Sequence, residues 1–249
     1  MDDRVSIIIP CGGHHTKYIG GAVDSCLSAD PPPDEIIVVD DFTMPPISLN
    51  HTPIVKVYRL KAHRGRSYAR NYGVDRTHSE WLFFLDADDF LEPTAISDFQ
   101  KIVEKEEADL IYADYDYINE QNERVRVKKH PFNRATNPSR RRRPIKKGDV
   151  LMIPKHQRRN LVNIGMFVRR NRFLAVNGFD EDMMVAEYWD FFIRYTMNPK
   201  IKIFKHNRPL FVARAGTSIL PNAEELMVLA SLKIDAMLRG GYYRKWVKS

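Results

Sequence analysis

Three short runs of apolar, largely β-branched or aromatic residues constrain this chain more than anything else in it. They are Val5-Ser-Ile-Ile-Ile-Pro10, Ile36-Ile-Val-Val39 and Trp81-Leu-Phe-Phe-Leu85; the first closes on a proline and the other two run directly into acids. Runs of this length are too short for a buried helix and lack the polar alternation of a half-exposed strand. They fit strands covered on both faces of a parallel sheet. Between them lie helical patterns. Tyr18 to Ala29 places Ile19, Ala22, Val23, Cys26 and Leu27 on one side and is stopped by Pro31-Pro32-Pro33. A further strand is predicted over Val55 to Leu60, followed by an Arg/Gly-rich turn and a helix over about Ser67 to Arg76. Strand, helix, strand, strand, helix, strand within the first 90 or so residues predicts an α/β domain. Its central sheet would be Rossmann-like, mostly parallel and flanked by helices.

Ligands of open parallel sheets bind beyond the carboxyl ends of the strands. That is where this sequence concentrates its reactive residues: the Gly12-Gly13-His14-His15 loop, Asp40-Asp41, and Asp86 to Asp89. Asp accounts for 20 of 249 residues, so an Asp-x-Asp triplet carries little weight alone, and three occur. Only Asp86-Ala87-Asp88 follows a wholly apolar strand, which would hold two carboxylates at a sheet edge able to bridge a divalent ion and a diphosphate. Oxygen ligands of that kind suit Mg²⁺ or Mn²⁺ rather than zinc. A solvated or capping role is expected for Asp114/Asp116 and Asp180/Asp182.

Further along, the pattern predicts a helix over about Pro93 to Glu107, one alternating strand over Asp109 to Ile118, and a helix from Val185 to Met197. A last amphipathic helix over 222–239 is stopped by Gly240. Between them the charge is lopsided. The whole chain carries +7, yet Arg124 to Arg172 holds 17 Lys/Arg against the single acid Asp149, a local +16 that leaves the other 200 residues at −9. Such a belt would meet a polyanion. Its Arg140-Arg-Arg-Arg143 core lies among Pro, Asn, Ser and Thr, so a mobile loop is expected until a partner binds. Cys11 and Cys26 allow no disulfide framework and favour a reducing compartment. No stretch approaches the roughly 18 uninterrupted apolar residues of a membrane span, and Met-Asp-Asp-Arg lacks a signal-peptide pattern, so a soluble cytoplasmic protein is expected.

Five motifs in order then carry a resemblance. Val5-Ser-Ile-Ile-Ile-Pro10, Ile36-Ile-Val-Val-Asp-Asp41, Ser67-Tyr-Ala-Arg-Asn-Tyr-Gly73, Leu82-Phe-Phe-Leu-Asp-Ala-Asp-Asp89 and Val176-Asn-Gly-Phe-Asp-Glu181 are similar to those of family 2 glycosyltransferases, over roughly residues 4 to 218. The resemblance implies a GT-A fold and inverting transfer of a sugar from a nucleotide-diphosphate donor, assisted by Mn²⁺ or Mg²⁺. A catalytic domain would span 1–221: a nucleotide-sugar half over 1–90, then an acceptor half over 91–221 with the basic loop 124–172. An appended helix and aromatic, basic tail would occupy 222–249. It also implies that Asp40 hydrogen-bonds the nucleobase while Asp41 holds the turn, and that Arg70 and Asn71 lie near the nucleotide and its phosphates. Asp86 and Ala87 would line the donor with Asp86 facing the ribose, and Asp88, with Asp86, would serve the metal. For Arg70 the alternative is an ion pair on the helix surface. The first loop departs from the family pattern: after Pro10, Gly12 and Gly13 are expected to let backbone N–H groups approach the diphosphate, with His14 or His15 beside it. The other reading of the two histidines is simple exposure.

Inversion needs a general base for the acceptor hydroxyl. The resemblance aligns Ala186-Glu-Tyr-Trp-Asp-Phe-Phe-Ile-Arg194 with the family's base-bearing helix but puts Tyr188 at the usual position of the base. A tyrosine with a pKa near 10 is a poor base at neutral pH. Glu187 is therefore the expected base, with Asp190 one turn on, holding the helix or a partner Arg. The late Arg214-Ala-Gly-Thr-Ser218 stretch lacks the family's histidine. The belt falls on the acceptor half, and Arg140, Arg141, Arg142, Arg143, Lys146 and Lys147 are expected to neutralise acceptor phosphates. DNA with a hydroxylated base is the leading acceptor. The alternatives are an anionic lipid-linked or surface glycan at the inner membrane face, and a catalytically weak nucleic-acid-binding module.

Overall fold

The apolar runs pair as parallel strands. The computed structural model of the protein describes residues 3–49, 52–119, 121, 123–126, 165–198, 200–216 and 223–242. β1 (Val5–Cys11) lies between β2 (Glu35–Asp40) and β4 (Trp81–Phe84), and β3 (Val55–Arg59) forms the edge beyond β2. The full sheet has seven strands in the order β10-β6-β9-β4-β1-β2-β3, with β6 at Leu110–Ala113, β9 at Met166–Arg169 and β10 at Ile203–His206. All neighbours run parallel except β9, which is antiparallel to both β4 and β6.

Successive strand residues point to opposite faces, and both faces are covered. Ile8, Ile37, Val39, Leu82 and Phe84 enter one core; Ile7, Ile9, Ile36, Val38, Trp81 and Phe83 enter the other. Helices α1 (Ile19–Leu27) and α3 (Ala95–Lys105) supply Val23, Cys26, Ile96 and Phe99 to the second core. The first core is closed by α2 (Arg66–Val74), α4 (Arg170–Ala175) and α5 (Glu187–Thr196), and Ala230 and Ile234 of α6 (Ala223–Arg239) join it. The expected helices and the first four strands thus stand within a few residues of where the pattern puts them. The boundary placed at 221/222 and the belt residues Arg140–Arg143, Lys146 and Lys147 lie outside the described residues.

One expectation is corrected. Asp109 to Ile118 is two strands, not one: β6 ends at Ala113, and after Asp114 and Tyr115 the chain resumes as β7 (Asp116–Ile118) in a second sheet. That sheet has the order β5-β11-β7-β8, formed by Phe90–Leu91, Phe211–Arg214, Asp116–Ile118 and Arg124–Arg126. Lys205 draws the Asp114 carboxylate to β10, while Tyr115 stacks on Phe211 of β11, so adjacent residues are bound to different sheets. Asp116 is buried and accepts from Arg124, a strand-pairing role rather than the solvated one expected.

Helix α2 reaches its sheet through Gly73, where a Cβ would stand 2.6 Å from Ile8 Cγ2 and 3.3 Å from Val39 Cγ2. Gly20 in α1 has nothing within 4 Å of such a Cβ. Gly73→Ala should therefore destabilise by about 1–3 kcal/mol through overpacking, whereas Gly20→Ala should stabilise by about 0.5–1 kcal/mol through helix propensity. Urea midpoints at constant m-value would read both; a higher midpoint for Gly73→Ala would mean that α2 does not sit this close to β1.

Candidate active site

Strands β1, β2 and β4 deliver their carboxyl ends to one edge. There Asp41 N–H donates to Cys11 O and Leu85 N–H to Ile8 O, knitting the loops together before any side chain is counted. Asp40 is buried, and its two oxygens accept from Thr43 N–H (2.7 Å), Ile47 N–H (3.2 Å) and the Arg59 guanidinium (2.6 Å). Burial alone would raise its pKa, but the hydrogen bonds from Thr43, Ile47 and Arg59 outweigh it and hold the carboxyl below its ordinary value. Asp41 accepts from Arg64 N–H and Gly65 N–H at 2.7 and 2.9 Å and pairs with His63 at 2.8 Å, which fixes the turn into α2. Both acids therefore hold loops that frame the edge, Asp40 the 43–47 segment and Asp41 the 63–65 segment.

Cys11, also at this edge, is no nucleophile. Burial, with Asp40 and Asp88 adding to it, pushes its thiol up to about 12. Pro10 and Gly12 flank it, and Gly12 is extended, with room for a Cβ beside Asp41. The segment Gly13–Lys17 makes a single 3₁₀ turn that sets the His14 and His15 rings 4.5 Å apart. His14 is exposed; His15 is half-buried with Nε2 3.7 Å from Asp88 Oδ2.

The centre of the site is Arg70. Ser67, Arg70 and Val74 occupy the inward face of α2, so a guanidinium is carried into the space below the edge, where its exposure is 0%. Arg70 donates through one terminal nitrogen to Asp86 Oδ1 at 2.6 Å and through the other to Glu187 Oε1 at 2.9 Å, and lies over the Tyr188 ring at 4.6 Å. The surface ion pair considered as the alternative for Arg70 is thus replaced by a fully buried bridge. Despite burial, the nearby Tyr188 ring, Asp86 and Glu187 raise its pKa above the ordinary arginine value, so it stays charged. Asn71, the next residue, donates to Phe179 O and accepts from Phe179 N–H, both at 2.9 Å. Its side chain clasps the Gly178-Phe179 turn, and Gly178 sits at φ +60 with no room for a Cβ beside Asn71.

Asp86, Ala87, Asp88 and Asp89 form the loop leaving β4. Asp86 points to Arg70 and Asp88 to His15, while Asp89 is buried and accepts from Arg214 N–H at 2.9 Å. Burial, with Asp86 and Asp88 close by, pushes the Asp89 carboxyl well above the usual carboxylate range. Among the described residues no three His, Cys, Asp or Glu side chains converge to hold a metal ion. Asp88 and His15 lie together at this edge as a pair of donor side chains. Mg²⁺ commonly takes only one or two protein carboxylates and fills its other positions with substrate phosphates and water, so this set fits an ion that arrives with a diphosphate.

Glu187 opens α5 after Ala186, which adopts φ +61. It is buried, Oε1 faces Arg70, Arg66 lies 4.0 Å away, and Oε2 has no protein hydrogen bond among the described residues. Tyr188 meets the same guanidinium with its ring, which packs edge-on against Phe179, and burial pushes its phenol well above the ordinary value, so it is neutral. Asp190 is fully buried and paired with Arg194 at 2.6 Å, and Arg194 also donates to Val176 O. Sequence reasoning missed the Arg70–Glu187 contact and the burial of Asp89. The first was legible in one respect, since an arginine at the inward helical spacing among Ser67, Gly73 and Val74 needs a buried partner.

The profile described as Glycosyl transferase family 2 matches residues 6–164. An uncharacterized glycosyltransferase of Haemophilus influenzae is 23% identical over 211 residues, covering 83% of this chain and 66% of that protein. Among solved structures, S. aureus TarS 1-349 in complex with UDP-GlcNAc superposes with TM-score 0.63 at 17% identity, covering 93% of this chain and 66% of that one. Its complex with UDP gives 0.61 at 18%, covering 85% and 60%. The chain thus spans just under two thirds of the length of these relatives. Their likeness is one of fold, and that fold is GT-A. With the family profile matching well over half of its length, the chain belongs to glycosyl transferase family 2.

Proposed function

We propose that this protein transfers a sugar, with inversion, from a nucleotide-diphosphate donor to a hydroxyl on a polyanionic acceptor, and that the acceptor is DNA bearing a hydroxylated base. The observation that carries the catalytic part is the Arg70 bridge. It holds a carboxylate of the donor-side edge, Asp86, and a carboxylate at the head of α5, Glu187, on one buried cation. In this reading Glu187 takes the acceptor proton through Oε2 while Arg70 keeps Oε1 in place, and the diphosphate leaves from the opposite face of the sugar. Asp190, locked to Arg194, positions α5. Asp86 and Ala87 face the donor, Asp88 with His15 would hold Mn²⁺ or Mg²⁺, and the metal would supply charge neutralisation of the leaving diphosphate.

The acceptor part rests on charge. The belt of 17 Lys/Arg against one acid demands a counter-charge, and a phosphodiester duplex with the target base extruded toward Glu187 supplies it. Such a substrate is met inside the cell, and among the described residues no helix is long and apolar enough to cross a membrane. A lipid-linked glycan acceptor has one observation in its favour, the exposed Val228, Leu229 and Leu232 on α6, which could meet a bilayer surface.

Incubation with a panel of nucleotide sugars and Mn²⁺, scored first for donor hydrolysis and then for transfer to hydroxymethylated DNA, tests this reading directly. Tight DNA binding with no donor hydrolysed would leave a binding module on an enzyme scaffold. Glu187→Gln is expected to lower kcat by about 10²–10⁴-fold with the KM for donor little changed, whereas Tyr188→Phe should keep kcat within a few-fold, because its hydroxyl is buried and neutral. Equal losses in the two variants would remove Glu187 from the role of base. Asp88→Asn should abolish metal-stimulated turnover, and His15→Ala should raise the Mn²⁺ concentration needed for half-maximal rate without abolishing it. An unchanged metal requirement in both would place the ion elsewhere.

A further inference from the structure

A second basic segment lies wholly within the described residues, and three of its cations take no part in the chemistry above. Residues 56–76 hold seven Lys/Arg and the single acid Asp75. Three of the cations have buried or near partners: Lys56 with Glu35, Arg59 with Asp40, and Arg70 with Asp86 and Glu187. Lys61, Arg64 and Arg76 are exposed, and among the described residues none has a carboxylate within ion-pair reach. Two of them are nevertheless held in place. Arg64 lies over the Tyr68 ring at 4.1 Å, Arg76 over the Tyr72 ring at 4.0 Å and near Tyr58 at 5.8 Å, and Tyr68 and Tyr72 stack at 6.2 Å. The spacing 64, 68, 72, 76 puts all four on one stripe of α2 and its flanks. Tyr58, Tyr68 and Tyr72 are half-buried against the core, so the platform under the two guanidinium groups is rigid.

We infer that this stripe is a nucleic-acid contact surface: a phosphodiester strand runs along the outer face of α2, and Arg64 and Arg76 each grip a phosphate. An arginine stacked on a ring keeps its N–H edge available for bidentate phosphate binding and has already lost much of its rotamer freedom. The nine residues of α2 between them rise about 13 Å, so the two arginines stand far enough apart to meet different phosphates of one strand. The stripe begins at the site, since Arg64 N–H and Gly65 N–H bind Asp41 and Arg66 lies beside Glu187. A strand leaving the catalytic edge would follow it. A bilayer is the poorer occupant: none of the exposed large apolar side chains lies between residues 58 and 76, so nothing on the stripe inserts among acyl chains. This rests on the reading of DNA as acceptor and adds to it a surface built from residues outside the 124–172 segment.

The test is binding of a fluorescein-labelled single-stranded oligonucleotide of about 20 nucleotides to the full chain by anisotropy across a salt series. Wild type, Arg64→Ala/Arg76→Ala and Arg64→Lys/Arg76→Lys are compared, with donor hydrolysis and thermal midpoint as controls. The alanine pair should lower the slope of log K against log salt by about 1.4, at about 0.7 per phosphate contact on a single strand, and the lysine pair should keep the slope while weakening binding several-fold. Donor hydrolysis should be unchanged in both. A wild-type slope that survives the alanine pair overturns the inference, as does a wild type that binds vesicles of mixed phosphatidylglycerol and phosphatidylcholine but not the oligonucleotide. If the slope falls as expected yet no sugar reaches hydroxymethylated DNA, the surface stands and the acceptor reading fails.

Discussion

A guanidinium removed wholly from water destabilises a fold by several kcal/mol unless its charge is balanced at good geometry. Arg70 meets that condition only because three distant pieces of chain come together: α2 carries it, the loop after β4 supplies Asp86, and the head of α5 supplies Glu187. Each contact constrains the others. Gly73 lets α2 approach β1 closely enough for Arg70 to reach under the edge. Asn71 clasps the Gly178-Phe179 turn, and Phe179 in turn packs against Phe173, Phe191 and Tyr188 to seat α5. Removing either carboxylate would leave a buried cation short of a partner. The bridge therefore reads both as the tie of the first core and as the setting of the proposed base.

How far this was legible in the sequence depends on whether the controlling interaction is local. β1, β2 and β4 are written in runs of Ile, Val and Phe that have no other stable use, and their Asp endings point to the edge without reference to the rest of the chain. The antiparallel β9 carries no comparable local sign; it is inserted between β4 and β6 by pairing across more than fifty residues. The division of Asp109–Ile118 into β6 and β7 likewise follows from what lies opposite, with Lys205 on one side and Phe211 on the other. Alternation alone runs through that junction unbroken. The pairing of Arg70 with Glu187 spans 117 positions, so motif order brings both residues to notice without joining them.

Departures from the family pattern take on a physical sense once the neighbours are known. Tyr188 at the position of the usual base is a neutral ring over which Arg70 rests, so the substitution removes one carboxylate from a guanidinium that already has two. A third acid there would have to be buried beside Glu187 and Asp86, and burial with like charges close by favours the protonated form, as happens at Asp89. The one change in this region, aromatic for acid beside the retained Glu187, is thus consistent with a single charge balance around Arg70.

The overall +7 is an average over surfaces with opposite tasks. The edge of the sheet gathers Asp40, Asp41, Asp86, Asp88 and Asp89 within a few turns of chain, and a nucleotide diphosphate can approach such a cluster only with cations to offset it. Arg59 and Arg70 offset it from below, each paired to a carboxylate of the edge. Arg64 and Arg76 face outward on aromatic supports instead of being paired with acids, so their charge stays available to a partner. The belt over 124–172 was the conspicuous feature because it dominates any count, and it concealed a smaller set whose geometry is better defined. At this edge Arg59 and Arg70 steady the acids, while Arg64 and Arg76, facing outward on their rings, define where a long anion could lie.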